Sequence, residues 1–125
     1  MAKTAIKAGV IGCGNISLVY IPNICQHYKN VEIVAVADLI RERSEKAAAD
    51  NNIPKVYETD ELLADPEIEI VLNLTTPQSH YEINKKILEA GKHVYSEKSM
   101  ALSLEDANTL YDLAEENGLR IASAP

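Results

Sequence analysis

The stretch that decides the fold is KAGVIGCGNISLVYIPNI, residues 7–24. An apolar run leads into two glycines, Gly12 and Gly14, and a pattern typical of a helix follows. In a dinucleotide site the first glycine allows a tight turn and the second lets the backbone approach a pyrophosphate, while a third lets helix and strand pack closely. Ser17 occupies the third position, where a small side chain strains the close packing without preventing it. A glycine pattern alone is weak evidence for a dinucleotide site, so the alternative interpretation of these glycines is an ordinary structural turn.

Short apolar runs alternate with helical patterns along the rest of the chain. The expected strands are 5–12, 31–38, 55–58, 68–75, 92–96 and 118–124, of which 55–58 is a short edge strand. The expected helices are 15–28, 41–50, 80–91 and 103–118. This alternation is typical of βαβ units and a parallel sheet. We therefore predict an α/β fold, a doubly wound parallel sheet (Rossmann) of about six strands in the order 3-2-1-4-5-6, with helices on both faces.

Local signals refine three of the helices. Pro22 removes a hydrogen bond inside the first helix and should kink or shorten it. Helix 80–91 should end at Gly91 and bury one apolar stripe, made of Ile83, Ile87 and Leu88. Helix 103–118 should begin with Ser103 as N-cap, with Asp106 three residues on, and end at Gly118. Its apolar face should consist of Leu104, Ala107, Leu110, Tyr111 and Ala114.

Composition limits the classes of function. The chain has 125 residues, enough for one domain with a real core, and 46% of them are hydrophobic while 25% are charged. A net charge of −7 argues against a nucleic-acid surface. No signal-peptide core or membrane-length apolar run occurs, so we expect no membrane association and a cytoplasmic location. Cys13 and Cys25 form no Cys-x-x-Cys pattern, so we expect free thiols and no metal site.

Asp38 stands at the end of the second predicted strand. A carboxylate there can accept hydrogen bonds from the hydroxyls of an adenosine ribose, and it would repel a 2′-phosphate. NAD is therefore the expected cofactor, while Arg41 and Arg43 keep NADP as an alternative. The structural alternative for Asp38 is an N-cap of helix 41–50. In the glycine loop, the expected cofactor-binding residues are Gly12, Gly14, Asn15 and Ile16.

The third strand-end reads NLTTPQSHYE, residues 73–82. A parallel strand delivers its carboxyl end to the ligand crevice, so Thr75 and Thr76 are expected at the cofactor. Pro77 is also expected to contact the cofactor, and it is a candidate for the first residue of the next helix. His80 is included as a cofactor-binding candidate, although a surface helix residue is the commoner reading of such a histidine.

The fourth strand-end carries Glu97 and Lys98 directly after an apolar run. The functional interpretation is a carboxylate bound to the nicotinamide ribose and an ammonium that reaches the reacting hydroxyl, so Glu97 and Lys98 are both cofactor-binding candidates and Lys98 is also the catalytic candidate. The structural alternative is a solvated charge pair, and spacing alone does not separate the two.

Together, GVIGCGNIS, Asp38, TTPQSH and AGKHVYSEKSMALS resemble the nucleotide-binding half of the Gfo/Idh/MocA dehydrogenases, relatives of glucose-fructose oxidoreductase and inositol dehydrogenase. The resemblance covers nearly the whole chain, and the AGKHV…EK segment is its most specific part. It implies NAD(P)-linked hydride transfer at a carbinol carbon of a sugar, polyol or derivative. In the family, a Glu-Lys-Pro motif supplies a lysine that binds substrate and assists proton transfer; Glu97 and Lys98 match it, and Ser99 replaces the proline.

The resemblance also implies a second, C-terminal domain that carries most substrate contacts and supports homo-oligomers. We expect residues 1–125 to be the dinucleotide-binding domain alone, able to bind cofactor and inactive without the substrate domain. A non-catalytic NAD-sensing module would share the glycine loop and Asp38 and would not need Glu97 and Lys98. A methyltransferase that uses S-adenosylmethionine also wants a glycine loop and a strand-end acid.

Overall fold

A computed structural model describes residues 5–27, 29–98 and 100–123 of the chain. The strands are β1 (Ile6–Ile11), β2 (Val31–Ala37), β3 (Lys55–Tyr57), β4 (Ile70–Asn73), β5 (His93–Ser96) and β6 (Ile121–Ser123). The helices are α1 (Ser17–His27), α2 (Arg41–Asn51), α3 (Thr59–Ala64), α4 (Pro77–Glu89) and α5 (Leu104–Glu116). Every predicted strand is present, within a few residues at each end.

The strands form one parallel sheet in the order β3-β2-β1-β4-β5-β6. The predicted doubly wound Rossmann topology is confirmed, including the short strand β3 at one edge. β1 lies at the centre, because it pairs with β2 on one side and with β4 on the other. The ends are in register: Ile11 is opposite both Ala37 and Asn73, and Asn73 is opposite Ser96. The segments that follow these strands therefore lie side by side along one edge.

Each face of the sheet has its own apolar core. On one face, Val10 and Val36 pack with Ile21 of α1 and Ala48 of α2. On the other face, residues of α3, α4 and α5 cover the sheet, among them Leu62, Ile87 and Leu110, which are buried together with Val71 and Val94. Because both faces of these strands are covered, their sequences are continuous runs rich in Val and Ile. Those runs made the sheet predictable from the sequence.

Helix α3 was not predicted. It has six residues, and its N-cap is Glu58, whose side chain accepts from the third helical amide while Glu61 accepts from the backbone N–H of Glu58. This is a capping box built on a residue that rarely serves as N-cap, so the usual start signal is missing. Its one buried side chain, Leu62, fills the space above Gly9 of β1.

Helix α4 begins at Pro77 rather than at residue 80, and the proline takes the first helical position, as its fixed φ favours. In its predicted stripe, Ile87 and Leu88 are buried and Ile83 packs against them at the edge of the core. Gly91 follows the helix with φ +82°, the left-handed conformation expected of a residue that ends a helix. The helix thus ends as predicted and starts one turn earlier.

Helix α5 corrects one part of its prediction. Ser103 is the N-cap and accepts from the backbone N–H of Asp106 at 3.1 Å, as expected. Leu110 and Ala114 are buried, whereas Leu104 and Tyr111 are 77% and 50% exposed, so the apolar face is narrower than the residue types suggested. Leu104 and Tyr111 therefore lie outside the buried face of the helix, although their side chains are apolar.

The first helix, α1, continues through Pro22 to His27, so of the two effects expected of this proline, a kink or a shortening, the shortening is wrong. A second unusual feature is Lys92, which is 4% exposed just before β5. Its Nζ donates to the carbonyls of Asp65 and Ile68 at 2.7 and 2.8 Å, and burial lowers its pKa. These hydrogen bonds connect the turn before β4 to the start of β5.

Over the described ranges, no helix is both long and apolar enough to cross a bilayer.

Candidate functional site

Gly12 is required by the fold itself. Its φ is +102°, a backbone conformation that side chains disfavour, and a Cβ there would lie 2.6 Å from the carbonyl carbon of Leu74. Its N–H donates to the carbonyl of Ala37 at 2.8 Å. The end of β1 therefore turns tightly between the ends of β2 and β4, as the first glycine of the predicted loop should.

Gly14 has a different environment. Its φ is not positive, and a Cβ there would meet only Arg43 Nη1, at 4.0 Å, apart from the residues next to it in the chain. Among the described residues, no oxygen accepts from the backbone N–H groups of Gly14, Asn15 and Ile16. No packing or conformational demand explains a glycine at this position. Open space beside a row of unused amides is what a phosphate group requires.

Ser17, at the third position of the glycine pattern, is the first residue of α1 and is 2% exposed. Its Oγ donates to the carbonyl of Gly14 at 2.6 Å. The side chain is therefore accommodated in the packing between loop and sheet, and its hydroxyl closes the loop onto the helix. A buried serine whose hydroxyl has a partner is compatible with the close approach that a glycine usually provides.

Asp38, directly after β2, is bonded to the glycine loop. One carboxylate oxygen accepts from the N–H of Cys13 at 2.6 Å, and the other accepts from the N–H of Ile40 at 2.7 Å. The N-cap of α2 is Ile40, so the predicted alternative role of Asp38 as that helix's N-cap is wrong. The two amides hold the carboxylate at the edge of the sheet beside the loop. Each oxygen has further acceptor capacity, since an ionised carboxylate offers about four lone-pair sites.

The two arginines that follow have different surroundings. Arg41 pairs with Glu45 one turn on in α2, with Glu58 after β3, and donates to the carbonyl of Val56 in β3. Arg43 lies by the glycine loop and lines, with Gly14, a groove of about 500 Å³ between α1 and α2. Of the two, Arg43 is the one placed to meet a phosphate held at the loop.

The segment after β4 is held by buried side chains. Thr75 donates from its hydroxyl to Asn73 Oδ1 at 2.6 Å, and its carbonyl contacts His80 Nε2 at 2.7 Å. Because a carbonyl can only accept, Nε2 carries the proton in this contact. His80 is 1% exposed, so its interpretation as a surface residue is wrong. Thr76 and Pro77 are exposed at the start of α4.

A buried polar network joins the third and fourth strand-ends, and the sequence did not predict it. Asn84 accepts from Asn73 Nδ2 at 2.8 Å and donates to Ser96 Oγ and to the carbonyl of Met100, both at 3.1 Å. Asn73, Asn84 and Ser96 are fully buried. Two signals could have found it: Asn73 interrupts an apolar strand, and Asn84 stands on the apolar stripe of α4.

Glu97 and Lys98 follow β5 at the same edge. The N–H of Glu97 donates to the carbonyl of Asn73 at 3.0 Å, and its own carbonyl accepts from Ser96 Oγ at 2.9 Å. The carboxylate accepts from the hydroxyl of Tyr20, on α1, at 2.6 Å, and this bond raises the pKa of Tyr20. Lys98 is exposed. Ser99, where the predicted departure from Glu-Lys-Pro falls, lies outside the described residues.

The family model for the Gfo/Idh/MocA oxidoreductases, described as an oxidoreductase family with an NAD-binding Rossmann fold, matches residues 6–124. The chain belongs to this family. Inositol 2-dehydrogenase/D-chiro-inositol 3-dehydrogenase of Lactiplantibacillus plantarum is 28% identical, over 92% of this chain and 33% of that protein. The scyllo-inositol 2-dehydrogenase (NAD(+)) of Bacillus subtilis is 29% identical, over 91% of this chain and 34% of that protein.

Among solved structures of this fold, a mutant of KijD10, a 3-ketoreductase from Actinomadura kijaniata in complex with TDP-benzene and NADP, superposes with a TM-score of 0.90. It is 26% identical, and the match covers 96% of this chain and 37% of that one. The chain thus spans about a third of the length of the curated relatives that it matches. Membership in an NAD-binding oxidoreductase family does not support the methyltransferase alternative.

In this Gfo/Idh/MocA domain both cysteines are free, as expected, Cys13 buried and Cys25 exposed. Burial, with a smaller contribution from the charge of Asp38, raises the pKa of Cys13 to about 12. The thiol in the glycine loop is therefore protonated at neutral pH and is not a nucleophile. Within the described ranges, no three His, Cys, Asp or Glu side chains are grouped so as to hold a metal ion.

Proposed function

We propose that the chain binds a nicotinamide dinucleotide along the carboxyl edge of its sheet and serves an enzyme that transfers hydride at a carbinol carbon of a sugar, polyol or derivative. The observation that carries the proposal is the open space at Gly14, with its unused amides, beside the anchored carboxylate of Asp38. The substrate class rests on the family resemblance and on inositol dehydrogenases among the relatives.

The adenosine half of the cofactor is assigned to the first two strand-ends. The amides of Gly14, Asn15 and Ile16 hold the pyrophosphate, aided by the positive end of α1, while Gly12 makes the turn. Asp38 accepts hydrogen bonds from the ribose hydroxyls. Its negative charge disfavours a 2′-phosphate, so NAD is the preferred cofactor.

The nicotinamide half is assigned to the other two strand-ends. Thr75, Thr76 and Pro77 border the path of the cofactor between the loops. The contribution of His80 passes through Thr75, whose carbonyl its buried ring holds. Glu97 accepts from the nicotinamide ribose. The cofactor supplies the hydride chemistry, which no side chain of this chain can perform.

Lys98 is assigned the reacting end of the site. Its ammonium donates a hydrogen bond to the substrate oxygen and stabilises the charge that develops there as the proton moves. The backbone beside it is fixed by Asn73 and Ser96, which bond to both sides of the Glu97 peptide unit. One hydrogen bond, from Asn84 Nδ2 to the carbonyl of Met100, holds the backbone two residues beyond Lys98.

A calorimetric titration of the chain with NADH, NADPH and S-adenosylmethionine tests the binding proposal. We expect NADH to bind most tightly, S-adenosylmethionine to give no heat, and Asp38→Ala to weaken NADH binding by at least about 100-fold, the loss of two charge-assisted hydrogen bonds. Asp60→Ala, which removes an exposed carboxylate in α3, is the matched control and should bind NADH normally. A folded chain that gives no heat with either nicotinamide dinucleotide would refute the proposal.

The role of Lys98 is tested in a longer polypeptide that includes a substrate-binding region, as the relatives have. Lys98→Ala should lower kcat by at least about 100-fold, the usual scale for a group that assists proton transfer. NADH affinity should stay close to that of the wild type. Unchanged turnover would contradict the role. Turnover lost together with cofactor affinity would assign Lys98 to cofactor binding instead.

A further inference from the structure

One hydrogen bond joins the two halves of the crevice. Tyr20 lies in the first turn of α1, directly after the glycine loop, and Glu97 follows β5; the two are 77 positions apart in the sequence. The phenol donates to Glu97 Oε2 at 2.6 Å. The Tyr20 ring also packs against Tyr95, with ring centroids 6.2 Å apart.

The backbone N–H and carbonyl of Glu97 both have hydrogen-bond partners, so the side chain is the part of this residue that still needs positioning. Its peptide is fixed by the bonds to Asn73 and Ser96, so the main chain cannot shift to reposition the carboxylate. A glutamate side chain still has three rotatable bonds, and holding it in one rotamer costs conformational entropy. The bond from Tyr20 selects one arrangement before any ligand arrives. Since the carboxylate also raises the pKa of Tyr20, the phenol remains a donor across the physiological pH range.

We propose that Tyr20 is a positioning residue that holds the Glu97 carboxylate ready to accept the hydroxyls of the nicotinamide ribose. The inference rests on the proposed function, because it needs a dinucleotide in the crevice. Helix α1, whose amino end is assigned to the pyrophosphate, thereby also helps to bind the nicotinamide half of the ligand. Loss of the phenol should therefore weaken binding of the whole dinucleotide and leave binding of its adenosine half unaffected.

Tyr20→Phe is the test variant, because it keeps the ring against Tyr95 and removes only the hydroxyl. NADH and ADP are titrated into the wild type and the variant by calorimetry. We expect the Kd for NADH to rise about tenfold, the scale of one hydrogen bond to a charged group, and the Kd for ADP to stay within about twofold. A variant that was merely less well folded would lose affinity for both ligands.

Two further variants complete the design. Tyr57→Phe removes a phenol that donates to another carboxylate, that of Asp65, at 2.9 Å beside β3, and it should leave both affinities unchanged. In a Glu97→Ala background, Tyr20→Phe should cause no further loss of NADH affinity, because the residue through which it acts is gone.

The outcomes are distinguishable. Equal NADH affinity in the wild type and Tyr20→Phe overturns the inference, and so does an equal loss for NADH and ADP. A full loss from Tyr20→Phe in the Glu97→Ala background overturns it as well. A folded wild type that binds neither NADH nor ADP overturns the proposed function, and the inference with it.

Discussion

Replacing each glycine of the loop by alanine should separate folding from binding. Gly12→Ala forces a side chain into a φ of +102° and places Cβ 2.6 Å from backbone atoms that cannot rotate away. The conformation costs about 1–2 kcal/mol and the overpacking about 1–3 kcal/mol, so we expect a loss of about 3 kcal/mol in the free energy of unfolding. For a chain of 125 residues this lowers Tm by about 12 °C.

Gly14→Ala should do the opposite. Its φ is not positive and its Cβ would make only an ordinary contact, 4.0 Å from Arg43 Nη1, so the folded state is not strained. Because alanine restricts the unfolded chain, the free energy of unfolding should be unchanged or rise by about 0.5 kcal/mol. The same methyl group occupies the space that a pyrophosphate needs, and an overpacking cost of about 1–3 kcal/mol corresponds to a loss of roughly 5- to 150-fold in NADH affinity.

Thermal unfolding followed by circular dichroism, together with calorimetric titration of NADH, measures both quantities on the same samples. Gly118→Ala serves as a control for the conformational cost alone, since Gly118 has φ +66° and nothing within 4 Å of its Cβ position. NADH binding by Gly14→Ala as tight as that of the wild type, or unfolding of Gly12→Ala at the wild-type temperature, would contradict the separate roles of the two glycines.

Two other predictions concern stability. Asn84→Ala removes three hydrogen bonds, each worth about 1 kcal/mol, from a buried network in which Asn73 and Ser96 keep their other partners, so the free energy of unfolding should fall by about 3 kcal/mol in urea titrations; a loss under 1 kcal/mol would contradict the network. The hydrogen bond from Lys55 lowers the pKa of Asp65 from 3.8 to about 2, so the stability it provides is present above pH 4 and is lost between about pH 4 and 2; Asp65→Asn should flatten that part of the Tm profile, and an unchanged slope would contradict this.

The fold was predictable because its signals are local. Val- and Ile-rich runs mark strands that are covered on both faces, Gly12 marks the tight turn after the first of them, and Ser103 marks a helix start. Each signal occupies a few consecutive residues, and register then brings the strand-ends together without further information. The same locality explains why α3 was missed, since its start is signalled by Glu58, a residue type that rarely caps a helix.

The candidate site was predictable only in its outline. Gly14, Asp38 and Glu97 could be assigned to one edge of the sheet because each follows a strand. Their partners could not be identified, since a hydrogen bond such as that from Tyr20 to Glu97 depends on how α1 lies over β5. The burial of His80 was missed for the same reason: a histidine in the first turn of a helix looks exposed until the helix is packed on the sheet.

The central position of β1 has a consequence for biosynthesis. β1 leaves the ribosome before β4, yet Ala8 pairs with Ile70, about 60 residues later. At a translation rate of roughly 5–20 residues per second, one side of this apolar strand lacks its neighbour for roughly 3–12 s. Nascent chains that stall between β3 and β4 will expose the edge of β1 that later pairs with β4. Chaperones of the trigger-factor type can bind such an unpaired edge, and aggregation can start from it. Slowing synthesis through residues 58–69 should therefore lower the soluble yield more than the same delay after residue 100.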